Sequence, residues 1–139
     1  MLVTDLINVR YLSGFSGSNG ALLVFGDDSN DRGSVLATDG RYRTQAAEQA
    51  PDLEVAIERA VGRYLVGRGA EAGVGKLGFE SNVVTVDGFD ALTGELEERK
   101  STETTELVRA AGTVEALRRS KTPARWRCCV WPARRLTPL

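Results

Sequence analysis

Short apolar runs separated by polar turns fill the first third of the chain, and longer segments with helical spacing follow them. Leu2 to Asp5 reads as a short strand and Ile7 to Leu12 as a turn or two of helix. Ala21 to Phe25 is a second strand. Gly26 to Ser34, rich in Gly, Asp, Asn and Ser, reads as a hairpin loop returning to a third strand at Val35 to Thr38. Arg41 to Ala50 carries good helix formers that Pro51 stops. Leu53, Val55 and Ile57 alternate with charged or small residues, as in a half-exposed strand. Ala60 to Gly67 has helical spacing, and the glycine-rich stretch from Gly67 to Gly75 reads as a loop. Leu77 to Phe79 is another short strand, and Val86 to Glu98 is a helix with Phe89, Leu92 and Leu96 on one side. Glu106 to Val108 is a last strand, after which Val114 to Arg119 opens a further helix. Two early strands in a hairpin followed by helix-strand alternation predict an α/β domain with a mixed β-sheet flanked by helices.

Composition narrows the chemistry. A chain of 139 residues is the size of one domain with one core. With 18 basic and 19 acidic residues the net charge is −1, which gives no field favouring nucleic acid or an anionic membrane. No apolar run approaches the roughly 18 residues of a membrane span. The first residues lack the pattern of a signal peptide, so the expected compartment is the cytoplasm. Cys128 and Cys129 are adjacent, which excludes both a disulfide framework and a CxxC metal knuckle. There is no histidine, so the familiar catalytic triads and most zinc sites are excluded, and no metal site is expected in this chain. Carboxylate chemistry survives that cut. Asp27 with Asp28, Asp87 with Asp90, and Glu97 with Glu98 are the candidate pairs, and their polar settings read as solvated surface charge.

The segment NVRYLSGFSGSNG, residues 8–20, spaces three glycines by three among aromatics, hydroxyls and one arginine. A phosphate cradle would need a helix after the glycines, whose N-terminal amides point at the anion. Ala21 to Phe25 is strand-like instead, and no Lys-Ser or Lys-Thr follows, so the loop reads as a turn that packs a short helix against a strand.

The residues NVRYLSGFSGSNGALLV, then Ala37-Thr38-Asp39-Gly40-Arg41-Tyr42-Arg43-Thr44-Gln45-Ala46, then Gly78-Phe79-Glu80, resemble the N-terminal domain of the Xaa-Pro peptidases. That group, the creatinase or pita-bread family, includes prolidase and aminopeptidase P. The resemblance covers roughly residues 1–124 and implies an α/β module with helices on a mixed sheet. It also implies that catalysis lies elsewhere. In the family a second domain holds two metal ions through two aspartates, a histidine and two glutamates, and the ions activate water against the bond before proline. No residue here matches those ligands, so any dinuclear divalent centre belongs to a missing catalytic domain, and this chain alone is expected to be inactive.

The family's N-terminal domain mediates dimer contacts and helps to bound a partner subunit's substrate pocket. On that model Arg10, Tyr11, Phe15, Ser18 and Asn19 are candidates for a surface facing substrate or a catalytic domain, since arginine and tyrosine bury large areas while keeping polar ends. The residues alone equally allow Tyr11, Leu12 and Phe15 to be core, with Gly14, Gly17 and Gly20 permitting tight turns. Asp39, Arg41 and Tyr42 read as architecture, with Asp39 capping a helix and pairing with Arg41. The expected partners are a second copy or a catalytic domain, with neither nucleic acid nor membrane. The competing functional reading is a free-standing interaction module that binds a peptide or a full-length relative.

The expected organisation is a domain over residues 1–112, the start of a linker helix over 113–124, and a tail over 125–139. Relatives carry a helix before the first strand, and its lack here is expected to leave an apolar face less protected. The tail crowds two tryptophans, two cysteines and several arginines into a Pro-interrupted segment without period. Shifted by one frame from the third base of Arg125, its codons spell a helix-forming order of Leu, Val or Met with Ala or Glu. The tail therefore reads as a frameshift product, dispensable for the fold.

Overall fold

A computed structural model describes residues 1–26, 33–99 and 105–120. The strands are β1 (Leu2–Val3), β2 (Gly20–Leu23), β3 (Val35–Thr38), β4 (Glu54–Ile57), β5 (Lys76–Phe79) and β6 (Glu106–Arg109). The helices are α1 (Leu6–Ser13), α2 (Arg43–Gln49), α3 (Val61–Glu71), α4 (Val86–Arg99) and α5 (Thr113–Arg119). A 3-10 turn, Gly40–Tyr42, leads into α2.

The strands form one mixed six-stranded sheet in the order β4-β3-β2-β1-β5-β6. β2 pairs antiparallel with β3 and with β1, while β3–β4, β1–β5 and β5–β6 are parallel. The expected α/β class, mixed sheet and flanking helices are all present. The predicted hairpin loop falls mostly on residues 27–32, outside the described residues, as do the Asp27–Asp28 pair, residues 121–124 of the expected linker helix and the whole 125–139 tail.

Strand alternation decides which helix covers which face. Leu2, Ala21, Leu23, Val35, Ala37, Leu77 and Phe79 pack with Leu65 and Val66 of α3 and Leu92 of α4. Their neighbours Val3, Leu22 and Leu36 point to the opposite face and pack with Val9 of α1, Ala46 of α2 and Val114 of α5. β2 and β3 are therefore buried on both sides, which explains their continuous apolar runs.

The sequence expectation fails at one element. α3 continues through Gly67 and Gly69 to Glu71 instead of ending at Gly67. Both glycines are buried within the helix. A Cβ at Gly69 would meet Leu77 of β5 at 3.4 Å, and one at Gly67 would meet the Arg99 guanidinium of α4 at 2.5 Å. These glycines thin the helix where neighbours cross it and do not break it. Their helix-propensity cost of about 1 kcal/mol each is offset by that close packing.

Candidate functional site

The glycine loop and the Thr38–Tyr42 segment, about 20 residues apart in sequence, meet at one end of the β2–β3 pair. α1 ends at Gly14, which takes the left-handed conformation at φ 80° and returns its N–H to Arg10 O. Phe15 is then 1% exposed, in the core with Leu22 and Leu36, and meets Tyr42 edge to face at 5.8 Å. Its ring occupies the space that side chains at Gly17 and Gly20 would need. A Cβ at Gly17 would lie 2.8 Å from Phe15 Cε1, and one at Gly20 2.9 Å from the same atom. The glycine spacing that suggests a phosphate cradle is therefore a seat for an aromatic ring.

Polar groups fasten the loop to the second motif. Asn19 Nδ2 donates to Asp39 Oδ2 at 2.8 Å, and Thr38 Oγ1 donates to Asn19 O at 2.6 Å. The Ser18 and Tyr42 hydroxyls share a hydrogen bond of 2.6 Å. Ser16 N–H donates to Gln49 Oε1 at 2.9 Å, and Gln45 Nε2 donates to Ser16 Oγ at 3.0 Å, so α2 holds the loop from the other side. Asp39 caps the 3-10 turn by accepting Arg41 N–H at 3.0 Å. It also takes a two-pronged ion pair from Arg41, Nε at 3.0 Å and Nη2 at 2.8 Å. The Arg41 side chain, and then Asn19, hold the Asp39 carboxyl well below the usual carboxylate range. Ser18 lowers the Tyr42 phenol from its ordinary value.

The sequence candidates thus divide by place. Asn19, Asp39, Arg41 and Tyr42 form one hydrogen-bonded cluster, joined by Ser18 through the Tyr42 hydroxyl. Phe15 lies beneath it in the core. Arg10 is exposed and Tyr11 half-buried on α1, where the Tyr11 hydroxyl donates to Leu117 O of α5 at 3.4 Å. Leu6, Ile7 and Leu12 of the same helix are exposed, with Ile7 at 60%.

The Gly78-Phe79-Glu80 motif marks Glu80 in the sequence without revealing its role. Glu80, directly after β5, is fully buried. Its Oε2 accepts the backbone N–H groups of Thr4 at 2.6 Å and Asp5 at 2.7 Å, and its Oε1 accepts Asn8 Nδ2 at 2.6 Å. The partners stand more than 70 positions away, so the Gly78-Phe79-Glu80 motif, a carboxylate directly after the apolar Leu77–Phe79 run, does not show what the carboxylate binds.

Among the described residues no group of three or more His, Cys, Asp or Glu side chains is arranged to hold a metal ion. Asp87, Asp90, Glu97 and Glu98 are exposed, and Glu98 meets Arg63 at 3.4 Å. Cys128 and Cys129 lie outside the described residues. No helix among the described residues is long and apolar enough to cross a membrane.

The family model described as the creatinase/prolidase N-terminal domain matches residues 1–119. The chain is 34% identical over 122 residues to the Bacillus subtilis (strain 168) protein named uncharacterized peptidase YqhT, covering 85% of this chain and 31% of that protein. Its fold matches the crystal structure of the N-terminal domain of cytoplasmic peptidase PepQ from Mycobacterium tuberculosis H37Rv with TM-score 0.77 and 78% identity, over 84% of this chain and 85% of that one. It also matches the Xaa-Pro dipeptidase from Bacillus anthracis with TM-score 0.74 and 27% identity, over 88% of this chain and 32% of that one. The chain spans about a third of the length of the curated relative.

Proposed function

Since this chain belongs to the creatinase/prolidase N-terminal domain family, we propose that it serves as the non-catalytic N-terminal domain of a cytoplasmic Xaa-Pro peptidase, joining subunits and helping to close a substrate pocket. The observation that carries this reading is the family match from residue 1 to residue 119, which takes in every element from β1 to α5. The metal-dependent hydrolysis then belongs to a separate catalytic region with a dinuclear divalent centre. Residues 1–112 are the domain proper, 113–124 begin the linker helix, and 125–139 are dispensable for the fold.

Within the domain the candidates take different roles. Arg10 and Tyr11 present the charged and aromatic surface that faces a partner or a peptide carboxylate, and exposed Ser18 is a further contact on the loop that follows α1. Phe15 and Asn19 act from beneath, one by shaping the loop and the other by holding Asp39. Asp39, Arg41 and Tyr42 are architecture.

Two measurements test the proposal. The purified chain should hydrolyse no proline-containing dipeptide, with or without manganese, cobalt or zinc. Metal-dependent turnover that follows this polypeptide through chromatography and disappears with a chelator would overturn it. A chimera in which residues 1–119 replace the N-terminal domain of PepQ should hydrolyse such dipeptides, and Arg10→Ala in that chimera should lower kcat/KM about tenfold, the value of one hydrogen bond to a charged group. A folded but inert chimera favours the second reading, a free-standing interaction module, for which the exposed apolar residues of α1 are the supporting observation.

A further inference from the structure

Helix α5 has seven residues, too few to hold a helical form by its own hydrogen bonds. Val114 is the one residue of it that is buried, so side-chain tethers must set its position. Three are present. The Tyr11 hydroxyl reaches Leu117 O at 3.4 Å, and Asn82 Nδ2 reaches Glu115 Oε1 at 3.3 Å; both are long. The third is short and charge-assisted, from Arg118 Nη1 to Asn8 Oδ1 at 2.8 Å.

Asn8 is fully buried, and its amide has no freedom to choose this orientation. The buried Glu80 carboxylate takes its Nδ2 at 2.6 Å, which leaves Oδ1 turned toward Arg118. A flipped amide would present its oxygen to a carboxylate and its N–H groups to a guanidinium, unfavourable at both ends. The same carboxylate grips the N–H groups of Thr4 and Asp5 where the chain enters α1. A buried negative charge at the end of β5 is thus linked through one amide to a cation on the last described helix, and hydrogen bonds at the two ends of the amide polarise each other.

We infer that Glu80, Asn8 and Arg118 form a latch that fixes α5, and with it the direction in which the chain leaves this domain. The latch rests on the geometry of these three residues and is independent of the peptidase reading. Asn8 and Glu80 are its positioning residues: Glu80 acts on α5 through Asn8, and Asn8 acts through Arg118 and through Glu115, whose carboxyl its side chain helps to hold below the ordinary value.

Hydrogen exchange on the full chain tests the latch. In Arg118→Met, which keeps the stem and removes the guanidinium, backbone amides of residues 113–119 should exchange at least tenfold faster, while those of β2 and β3 are unchanged. Arg119→Met, one position along and exposed, is the control and should leave α5 within twofold of the parent. Asn8→Ala should loosen α5 at least as much as Arg118→Met does, and adding Arg118→Met to it should loosen α5 no further, since the guanidinium has then already lost its buried partner. Unchanged exchange in Arg118→Met, an equal effect from Arg119→Met, or multiplying effects in the double variant would each overturn the latch. Should Asn8→Ala not fold, the side-chain amide signals of Asn8 decide: they must shift in Arg118→Met and stay in place in Arg119→Met.

Discussion

At Gly17 a missing side chain makes room for a ring. Phe15 turns back over Gly17 and Gly20 and is sealed from above by Tyr42, so its position is fixed on both sides. Gly17→Ala places a methyl among ring carbons that cannot retreat, and overpacking of this kind costs about 1–3 kcal/mol, a melting temperature lower by several degrees. Gly67→Ala also creates a collision, but with the Arg99 guanidinium, the far end of a flexible side chain. Arg99 would swing out and weaken its pairs with Glu71 and Glu95, each worth about 0–1 kcal/mol at the surface, while the helix gains about 1 kcal/mol from alanine. Thermal melts should therefore separate the two, with Gly17→Ala clearly destabilised and Gly67→Ala near the parent. Equal losses would show that the ring is free to move. The sequence displayed both glycines alike; what distinguishes them is the stiffness of the neighbour, which only the fold supplies.

Elements were legible where the period was local. The α1 expectation of Ile7 to Leu12 differs from Leu6–Ser13 by one residue at each end, and the β3 expectation of Val35 to Thr38 matches the strand. Gly67, Gly69 and Gly73 all look like loop signals in the sequence, yet only Gly73, at φ 70°, marks the end of α3. The cap role of Asp39 is legible because its acceptor role is set two residues away, whereas the motif that contains Glu80 does not show its role, because its partners come from the turn between β1 and α1 and from α1 itself. The 3-10 turn that Asp39 begins offers a pH test. The folded state holds this carboxyl below its ordinary value, so the stability it lends is complete above the unfolded value of about 3.9 and is lost as the pH falls below that value. The melting temperature of Asp39→Asn should lie below that of the parent at pH 5–7, and the gap should narrow between about pH 4 and pH 2. A gap of constant width across that range would mean that Arg41 and Asn19 do not bind the ionised form preferentially.

For the whole molecule, the sheet is covered by α3 and α4 on one face and by α1, α2 and α5 on the other, yet several apolar side chains remain in water. Ile7 is 60% exposed, Leu117 55% and Val86 78%. Light scattering across a concentration series should therefore report an average mass rising above that of one chain, and the Ile7→Lys, Leu117→Lys double variant should reduce the rise. A single-chain mass for the parent at every concentration would count against self-association. The strand order carries a further consequence, for the sequence in which the molecule assembles. β1 is two residues long and stands between β2 and β5, so it alone joins the β4-β3-β2 half of the sheet to the β5-β6 half. Its partners are Leu22 and Leu23 on one side and Phe79 on the other. During synthesis Leu2 and Val3 precede the other described strands, yet they cannot close the seam until the segment through Phe79 has followed, whereas β2 and β3 can zip together much earlier. The earliest of the described strands is thus among the last to be completed, and until then the nascent chain carries an open, apolar sheet edge for a chaperone to shield.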